Sequence, residues 1–236
     1  MATVAIYSLK GGVGKTTLAV NLAHAAATQS ARRTLLWDLD PQAAASWILS
    51  DAKPREKAHA IFSRDVSPAK LVRETAYPRL DLLPADASLR GLDRLLHELD
   101  KKKRLGKLIE GLADYDRVIL DCPPGLTETA DQVMRAADLI VIPVVPSALA
   151  TRAYQEVLNH LGSRAPVLAV HNMVDRRRRL HADALRAEPD WPAIPMASNV
   201  EAGAGRRAPV AAFVPRSAAA QAFAELWRTI EHRLAA

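Results

Sequence analysis

Short runs of apolar residues recur along the 236-residue chain, and the segments between them carry apolar residues at helical spacing. The runs that predict strands are residues 4–7, 34–37, 80–83, 118–120, 139–145 and 167–170. Such continuous apolar runs are typical of strands that are buried on both faces of a sheet. The alternation therefore predicts an α/β fold, with a mostly parallel central sheet flanked by helices on both faces.

The pattern is weaker in two regions. Residues 51–78 contain short helical stretches that Pro54, Pro68 and Pro78 interrupt, and residues 86–112 mix charged and apolar positions as one or two surface helices do. The sequence contains no internal repeat and no low-complexity segment. A chain of this length fits one α/β domain with a large core.

A glycine-rich loop follows the first apolar run. Residues 8–17 have the sequence S-L-K-G-G-V-G-K-T-T, and a helical pattern begins directly after them. Strand, glycine-rich loop and helix form the context in which backbone N–H groups and a helix N-terminus surround a phosphate. We expect Lys15 to reach the β- and γ-phosphates of a nucleotide and the Thr16 hydroxyl to ligate Mg²⁺.

Two acidic motifs end later apolar runs. Residues 38–42 have the sequence D-L-D-P-Q, and residues 121–124 have the sequence D-C-P-P. Because the carboxyl ends of parallel strands share one edge of a sheet, both motifs can meet the glycine-rich loop at one ligand. Asp121 is placed to hold Mg²⁺, through a water. Asp38 and Asp40 alternate along an extended segment, so we expect their side chains to point to opposite sides and to have different roles.

Together these motifs resemble those of the ParA/MinD family, the deviant Walker A type of P-loop ATPases. The loop has Leu9 where the common P-loop has glycine, and it carries the second lysine of this family, Lys10. Residues 215–217, P-R-S, also match the ParA pattern. After Gln42 the chain departs from the family's usual Gly-Asn pair, since Ala43 and Ala44 follow.

The resemblance implies a weak, partner-stimulated ATPase that uses ATP and Mg²⁺ and forms an ATP-sandwich homodimer. In that dimer Lys10 contacts the partner subunit's ATP, and Asp40 positions or deprotonates the attacking water. The implied catalytic residues are Lys10, Lys15 and Asp40, and the implied metal ligands are Thr16, Asp38 and Asp121. The implied nucleotide-binding residues are Gly11, Gly12, Val13, Gly14, Lys15, Thr16, Thr17 and Asn172.

Two of these roles have structural alternatives. Asp38 is implied to support the Mg²⁺ shell, and the lesser alternative is a carboxylate that holds a turn at the strand end. Asn172 follows the strand at residues 167–170, where related ATPases place an asparagine that contacts adenine. An asparagine that forms a turn accounts for that position about as well.

The charge balance indicates an anionic partner. The formal net charge is +6 and the pI is about 9.7, which is typical of proteins that bind nucleic acid or anionic membranes. ParA-like proteins bind DNA without sequence preference through basic residues of the C-terminal third. The residues that match are Arg176, Arg177, Arg178, Arg179, Arg206, Arg207 and Arg216. The first four follow Asp175 and are expected to form the first turn of a helix. Residues 101–104, K-K-K-R, form a further basic run, and any single run can be a solvated surface.

The resemblance thus predicts a cytoplasmic, nucleoid-associated protein that positions or segregates a plasmid, a chromosome or a protein assembly with an adaptor protein. Its residues 1–236 are expected to form one ParA-like ATPase domain with no N-terminal helix-turn-helix domain. The first alternative is a MinD-like membrane ATPase. In residues 219–234 the apolar residues fall on one face of a predicted helix, and the other face carries both acidic and basic residues. This pattern favours a helix packed on the sheet over one that lies in an anionic membrane, so no membrane binding is expected. The second alternative is a P-loop amide ligase, which the two acidic motifs fit less well.

Overall fold

The computed structural model describes residues 1–51, 57–63, 66–98 and 103–235. Within them the strands are β1 (Ala2–Ile6), β2 (Thr34–Asp38), β3 (Arg73–Glu74), β4 (Leu80–Leu83), β5 (Arg117–Asp121), β6 (Leu139–Val144), β7 (Val167–Val174) and β8 (Ala193–Pro195). They form one sheet in the order β3-β4-β2-β5-β1-β6-β7-β8. Only the β3–β4 pair is antiparallel among these described strands. All six predicted strands and the parallel sheet are confirmed.

The helices of the described residues are α1 (Lys15–Gln29), α2 (Ala44–Leu49), α3 (Ala60–Ser63), α4 (Leu92–Glu98), α5 (Arg104–Glu110), α6 (Glu128–Ala136), α7 (Ala148–Leu161), α8 (Arg179–Ala187), α9 (Ser198–Arg206), α10 (Val210–Phe213) and α11 (Ala218–Ala235). Short 3-10 helices lie at Pro68–Lys70 and Ala87–Gly91. The surface helices predicted within residues 86–112 correspond to α4 and α5. Lys101 and Lys102 of the predicted basic run lie outside the described residues.

Helices cover both faces of the sheet, as predicted. Alternate residues of β1 point to opposite faces, with Ala5 in one apolar core and Val4 in the other. The first core contains buried residues of α3 to α7, and the second contains those of α1, α2, α10 and α11. The strands between them are buried on both faces, which accounts for their continuous apolar sequence.

Helix α11 packs against α1 and against β6 and β8 of the sheet. Its residues Phe223, Leu226 and Ile230 are buried in the second core. Trp227 Nε1 donates to Ser30 Oγ at 2.7 Å, at the end of α1. The prediction of a helix packed on the sheet is confirmed, and none of the described helices is long and apolar enough to cross a membrane.

Two features of the fold were not predicted correctly. Strands β3 and β8 have only two and three residues, which is too few to be recognised as an apolar run. They are the two edge strands of the sheet. The arginine run was expected to form the first turn of a helix. Instead Arg176 and Arg177 form a turn after β7, and α8 begins at Arg179.

Candidate nucleotide-binding site

A cleft of about 700 Å³ opens at the carboxyl edge of the sheet. Its walls come from the loops that follow β1, β2, β4 and β5, with Met173 of β7 at one side. The three sequence motifs therefore meet at one place, as the parallel topology predicted. The cleft contains P-loop residues, Asp40 of the second motif and Pro123 and Pro124 of the third.

The P-loop adopts a curled backbone that glycine makes possible. Gly12 and Gly14 have φ of 74° and 88°, in the left-handed region that residues with a Cβ rarely adopt. Helix α1 begins directly after this curl, and its N-cap residue, Gly14, makes no side-chain capping bond. The first N–H groups of the helix thus have no side-chain acceptor at the cap. Free N–H groups at a helix N-terminus attract an anion.

Lys15 is held inside the loop that it serves. Its side chain is buried, and Nζ donates to the carbonyl oxygen of Lys10 at 3.0 Å. Burial lowers the pKa of Lys15, while the nearby Asp121 carboxylate raises it. Among the described residues this buried cation bonds a loop carbonyl and no side chain, so it is well placed to exchange that bond for a phosphate oxygen.

Asp121 has the environment of a metal-binding carboxylate. It is fully buried at the end of β5, and neither carboxylate oxygen has a satisfactory hydrogen-bond donor among the described residues. Burial and the neighbouring Asp38 charge raise its pKa, which the Thr16 hydroxyl beside it opposes. A buried carboxylate without a partner, next to a hydroxyl, supplies the oxygen ligands that Mg²⁺ prefers. The pair Thr16 and Asp121 therefore fits Mg²⁺.

Asp38 and Asp40 have different surroundings, as their alternation predicted. Asp38 is fully buried, and its Oδ2 accepts bonds from Ser46 N at 2.9 Å and Ser46 Oγ at 2.7 Å. Its Oδ1 accepts from Asp40 N at 3.1 Å. Burial raises the pKa of Asp38 to about 6, against the Ser46 hydrogen bonds. These contacts match the alternative in which Asp38 holds the turn, and its predicted part in the Mg²⁺ shell stays a prediction.

Asp40 lies in the cleft wall and is only partly buried. Its Oδ1 accepts from Gln42 N at 2.8 Å. None of the described residues bonds Oδ2, so one carboxylate oxygen is available to a water in the cleft. That arrangement suits a residue that orients or deprotonates the attacking water, a role that the geometry leaves as a prediction.

Asn172 contacts the P-loop directly. Its side chain is buried, and Nδ2 donates to the carbonyl oxygen of Val13 at 2.6 Å. The amide thus supports the loop with one N–H, and its oxygen and second N–H remain for a base. The adenine contact of Asn172 stays a prediction, and a loop-supporting role is the one that its hydrogen bond establishes.

Gly14→Ala is expected to destabilise the fold because of this close contact. A Cβ at Gly14 would lie 2.5 Å from Asn172 Nδ2, and the φ of 88° would be strained as well. We expect a loss of about 1–3 kcal/mol in the free energy of unfolding, measured by urea denaturation. Gly11→Ala is the control, since a Cβ there meets nothing within 4 Å. Equal stability of the two variants would contradict this account.

Sequence reasoning missed two supports of the site and one residue of its wall. Tyr7 OH donates to the Gly125 carbonyl at 2.8 Å and ties the loop after β5 to β1. Asp93 Oδ1 accepts from the N–H and hydroxyl of Thr129 at the start of α6. Arg90 lines the cleft from the 3-10 helix after β4. No motif marks these residues, because the bonds of Tyr7 and Asp93 join segments far apart in sequence and Arg90 reaches the cleft through the order of the strands.

The predicted DNA-binding arginines divide into paired and unpaired groups. All of them except Arg207 are exposed. Arg177 forms a two-bond ion pair with Asp175, at 2.9 and 3.0 Å, which lowers the pKa of Asp175 to about 2, and Arg179 lies 3.8 Å from Asp183. No carboxylate pairs with the other exposed arginines within the described part of the chain; these are Arg176, Arg178, Arg206 and Arg216.

Arg207 differs from the other arginines because it is bonded inside the protein, and its predicted DNA contact stays a prediction. Its guanidinium donates to the carbonyl oxygens of Trp47 and Ser50, at 2.7 and 2.6 Å, and to Asp51. It also stacks over the Trp47 ring at 5.1 Å. Three of the five N–H donors of Arg207 therefore hold the end of α2, which leaves this side chain less free than the other arginines to turn towards a phosphate.

Comparison with known proteins supports the assignment of this cleft as a nucleotide-binding site. Residues 1–165 match the family described as an AAA domain. The chain is 33% identical over 160 residues to the sporulation initiation inhibitor protein Soj of Bacillus subtilis, covering 66% of this chain and 63% of Soj. It is 31% identical over 194 residues to the chromosome partitioning protein ParA of Caulobacter vibrioides, covering 76% of this chain and 72% of that protein. The aligned region thus covers less than two thirds of the length of Soj and more than two thirds of the length of ParA.

Solved structures share the fold over nearly the whole chain. A variant of Cyanothece McdA in complex with ATP has a TM-score of 0.83 at 20% identity, covering 100% of this chain and 96% of that one. MinD of Pyrococcus horikoshii with Mg-ADP has a TM-score of 0.82 at 23% identity, covering 97% and 95%. Cobyrinic acid a,c-diamide synthase of Mycobacterium smegmatis, with an ATP analogue and magnesium, has a TM-score of 0.80 at 26% identity, covering 98% and 94%.

The similarities to McdA and to MinD establish only that the fold is shared. The relationship in sequence comes from the alignments with Soj and ParA. The three motifs converge on one cleft, the family match covers residues 1–165, and the Caulobacter relative aligns over most of its length. This chain belongs to the ParA/MinD family of P-loop ATPases.

Proposed function

We propose that this protein binds and hydrolyses ATP with Mg²⁺ in the cleft and dimerises when ATP is bound. As a dimer it binds DNA without sequence preference and positions or segregates a cargo, and an adaptor protein stimulates its slow hydrolysis. The single observation that supports the proposal most is the meeting of Lys15, Thr16, Asp40 and Asp121 at one edge of the sheet. We treat residues 1–236 as one domain, since one sheet draws strands from both halves of the described chain.

Each residue has a distinct part in the proposed reaction. The N–H groups at the start of α1 and the Lys15 ammonium bind the β- and γ-phosphates and offset their charge. Thr16 and Asp121 would hold Mg²⁺, which when bound neutralises charge that develops between the same phosphates. Asp40 orients the attacking water and accepts its proton through the oxygen that Gln42 leaves free.

Exposed apolar side chains support a dimer across the same edge. Leu126, Leu149, Leu180 and Met196 follow β5, β6, β7 and β8, and they are between 41% and 66% exposed. Large apolar residues gathered at one edge are typical of an interaction surface. A second copy placed there would cover them. It would also bring Lys10, whose ammonium has no ion-pair partner among the described residues, towards the partner's nucleotide.

Unpaired arginines support DNA as the anionic partner. Arg176 and Arg178 lie beyond the carboxyl end of β7, and Arg206 and Arg216 follow in the C-terminal third. With about three phosphate contacts per protomer, the dimer would lose affinity with a log–log salt slope of roughly −5, twice that of a monomer. Dimerisation would therefore decide whether the protein stays on DNA at physiological salt.

The test is binding to random-sequence duplex DNA with ATP, with ADP and without nucleotide, across a salt series. We expect binding with ATP only and a steep salt slope. Changing Arg176 and Arg178 to Glu should weaken it at least tenfold, since each lost phosphate contact is replaced by repulsion. The charge-matched control changes Arg135 and Arg228 to Glu, two exposed arginines outside the predicted clusters. Equal losses of DNA affinity in both double variants would show that the arginine run is a solvated surface and not a specific DNA contact.

A MinD-like membrane ATPase is the first alternative. Its membrane contact would need a free amphipathic helix, whereas the apolar side chains of α11 are buried against α1 and the sheet. If the protein bound anionic liposomes with ATP and showed no DNA binding in any nucleotide state, this alternative would replace the DNA proposal.

A P-loop amide ligase is the second alternative, which the 26% identity to the diamide synthase favours. An enzyme that takes ammonia from glutamine commonly uses a cysteine nucleophile. Cys122 is the chain's one cysteine. It is buried, and burial raises the pKa of its thiol, which makes it unsuited to that role. ATP hydrolysis that requires an amide-forming acceptor would support the ligase.

A further inference from the structure

Arg90 extends the nucleotide cleft on the side opposite Met173. It lies in the 3-10 helix Ala87–Gly91 that follows β4, and both it and Met173 line the same cleft. The strand order places the loops after β4, β2, β5, β1 and β7 in that sequence along the carboxyl edge. The P-loop, after β1, therefore lies between Met173 and Arg90.

The reacting end of the cleft is the end near Arg90. Asp121 ends β5 and Asp40 follows β2, so both lie between the P-loop and the 3-10 helix in the strand order. These are the residues that our proposed function places at the metal and at the attacking water. A triphosphate held by Lys15 and reacting near Asp40 must direct its terminal phosphate towards this side.

Arg90 is an exposed cation without a partner. No hydrogen bond or ion pair involves its guanidinium among the described residues, whereas Arg94, one turn further along, bonds Glu98 at 2.6 Å. The nearest carboxylate in sequence, Asp93, already accepts two bonds from Thr129. The charge of Arg90 is thus free to meet an anion that enters the cleft.

The backbone that carries Arg90 is firmly held. Asp86 caps the 3-10 helix by accepting from Ser88 N at 2.7 Å, and it also accepts from Ala58 N at 2.8 Å. Leu89 and Leu92 on either side are buried in the first core. The position of the Arg90 backbone is therefore set by core packing, and replacement of its exposed side chain should leave the fold unchanged.

We propose that Arg90 contacts the terminal phosphate of bound ATP from the side opposite Lys15, and so favours ATP over ADP. The inference rests on the proposed ATP binding of this site and adds a residue that discriminates between the two nucleotides. Arg is suited to this contact because its planar guanidinium can give two parallel hydrogen bonds to one phosphate group.

The test compares the affinities for ADP and a non-hydrolysable ATP analogue in the wild-type protein, Arg90→Ala, Arg90→Lys and Arg94→Ala. It uses calorimetry with Mg²⁺, at concentrations where light scattering shows monomers. We expect Arg90→Ala to weaken binding of the analogue about tenfold, since hydrogen bonds to charged groups are the stronger ones, and to leave ADP affinity unchanged. Arg90→Lys should recover part of the loss, and Arg94→Ala should change neither affinity.

The outcomes separate this inference from the function on which it rests. A wild-type protein that binds neither nucleotide would overturn the proposed function and this inference with it. A wild-type protein that prefers the analogue, together with an Arg90→Ala variant that keeps the same preference, would overturn the inference alone. Equal weakening of both nucleotides would also overturn it, because the contact would then not be at the terminal phosphate.

Discussion

Lys15→Ala is expected to abolish ATP binding at micromolar concentrations, with a loss of affinity of at least about 100-fold. The buried ammonium bonds the Lys10 carbonyl inside the loop, where it would lie against the β- and γ-phosphates, and Arg90 at the far side of the cleft does not occupy that position. Fluorescent-nucleotide titration with Mg²⁺ measures the loss. The variant should unfold at the same temperature as the wild-type protein or higher, since burial of this charge opposes folding.

The neighbouring lysine provides the matched control for that experiment. Lys10→Ala should keep the ATP affinity of the monomer, because the Lys10 contribution to the loop is its backbone carbonyl. It should fail to form the ATP-dependent dimer. ATP binding of Lys15→Ala at wild-type strength would refute the P-loop assignment, and a normal dimer of Lys10→Ala would remove its proposed contact with the partner's nucleotide.

Asp40→Asn is expected to slow ATP hydrolysis by about 100-fold or more while ATP binding persists, because a general base typically contributes 10²–10⁴-fold. The amide oxygen can still accept from Gln42 N, so the turn is preserved and only the proton acceptor is lost. Single-turnover hydrolysis measures the rate, and DNA binding with ATP should outlast that of the wild-type protein. Unchanged turnover would move the catalytic role to another carboxylate.

Asp38→Asn gives the contrasting result that identifies the two carboxylates. Both carboxylate oxygens of Asp38 accept bonds inside the core, from Ser46 and from Asp40 N. In Asp38→Asn one of these oxygens becomes an NH₂ group, which would face a backbone N–H and leave that N–H without an acceptor. We therefore expect a loss of stability of about 1–3 kcal/mol, seen in urea denaturation. Asp40→Asn, at the partly exposed site, should lose far less.

The roles of Asp38 and Arg207 could not be predicted from sequence motifs. The position of Asp38 at the end of β2 followed from the sequence, but its role depends on Ser46, whose hydroxyl approaches only after α2 has packed. Arg207 belongs to a basic pair in the sequence, yet its guanidinium holds the end of α2 about 160 positions earlier in the chain. Both roles rest on contacts between distant segments, which a motif does not contain.

The sequence by itself determined the α/β fold, the six main strands, the P-loop and the place where the three motifs converge. These features depend on local apolar periodicity and on the rule that parallel strands end at one edge, and both are visible in the residue order. Only the tertiary structure decided which side chains remain free to act. It buried Asp38, bonded Arg207 and Arg177, left Asp121 without a satisfactory donor and brought Arg90 to the cleft. Burial and pairing are properties of packed neighbours, and the neighbours of these residues come from segments far apart in the chain.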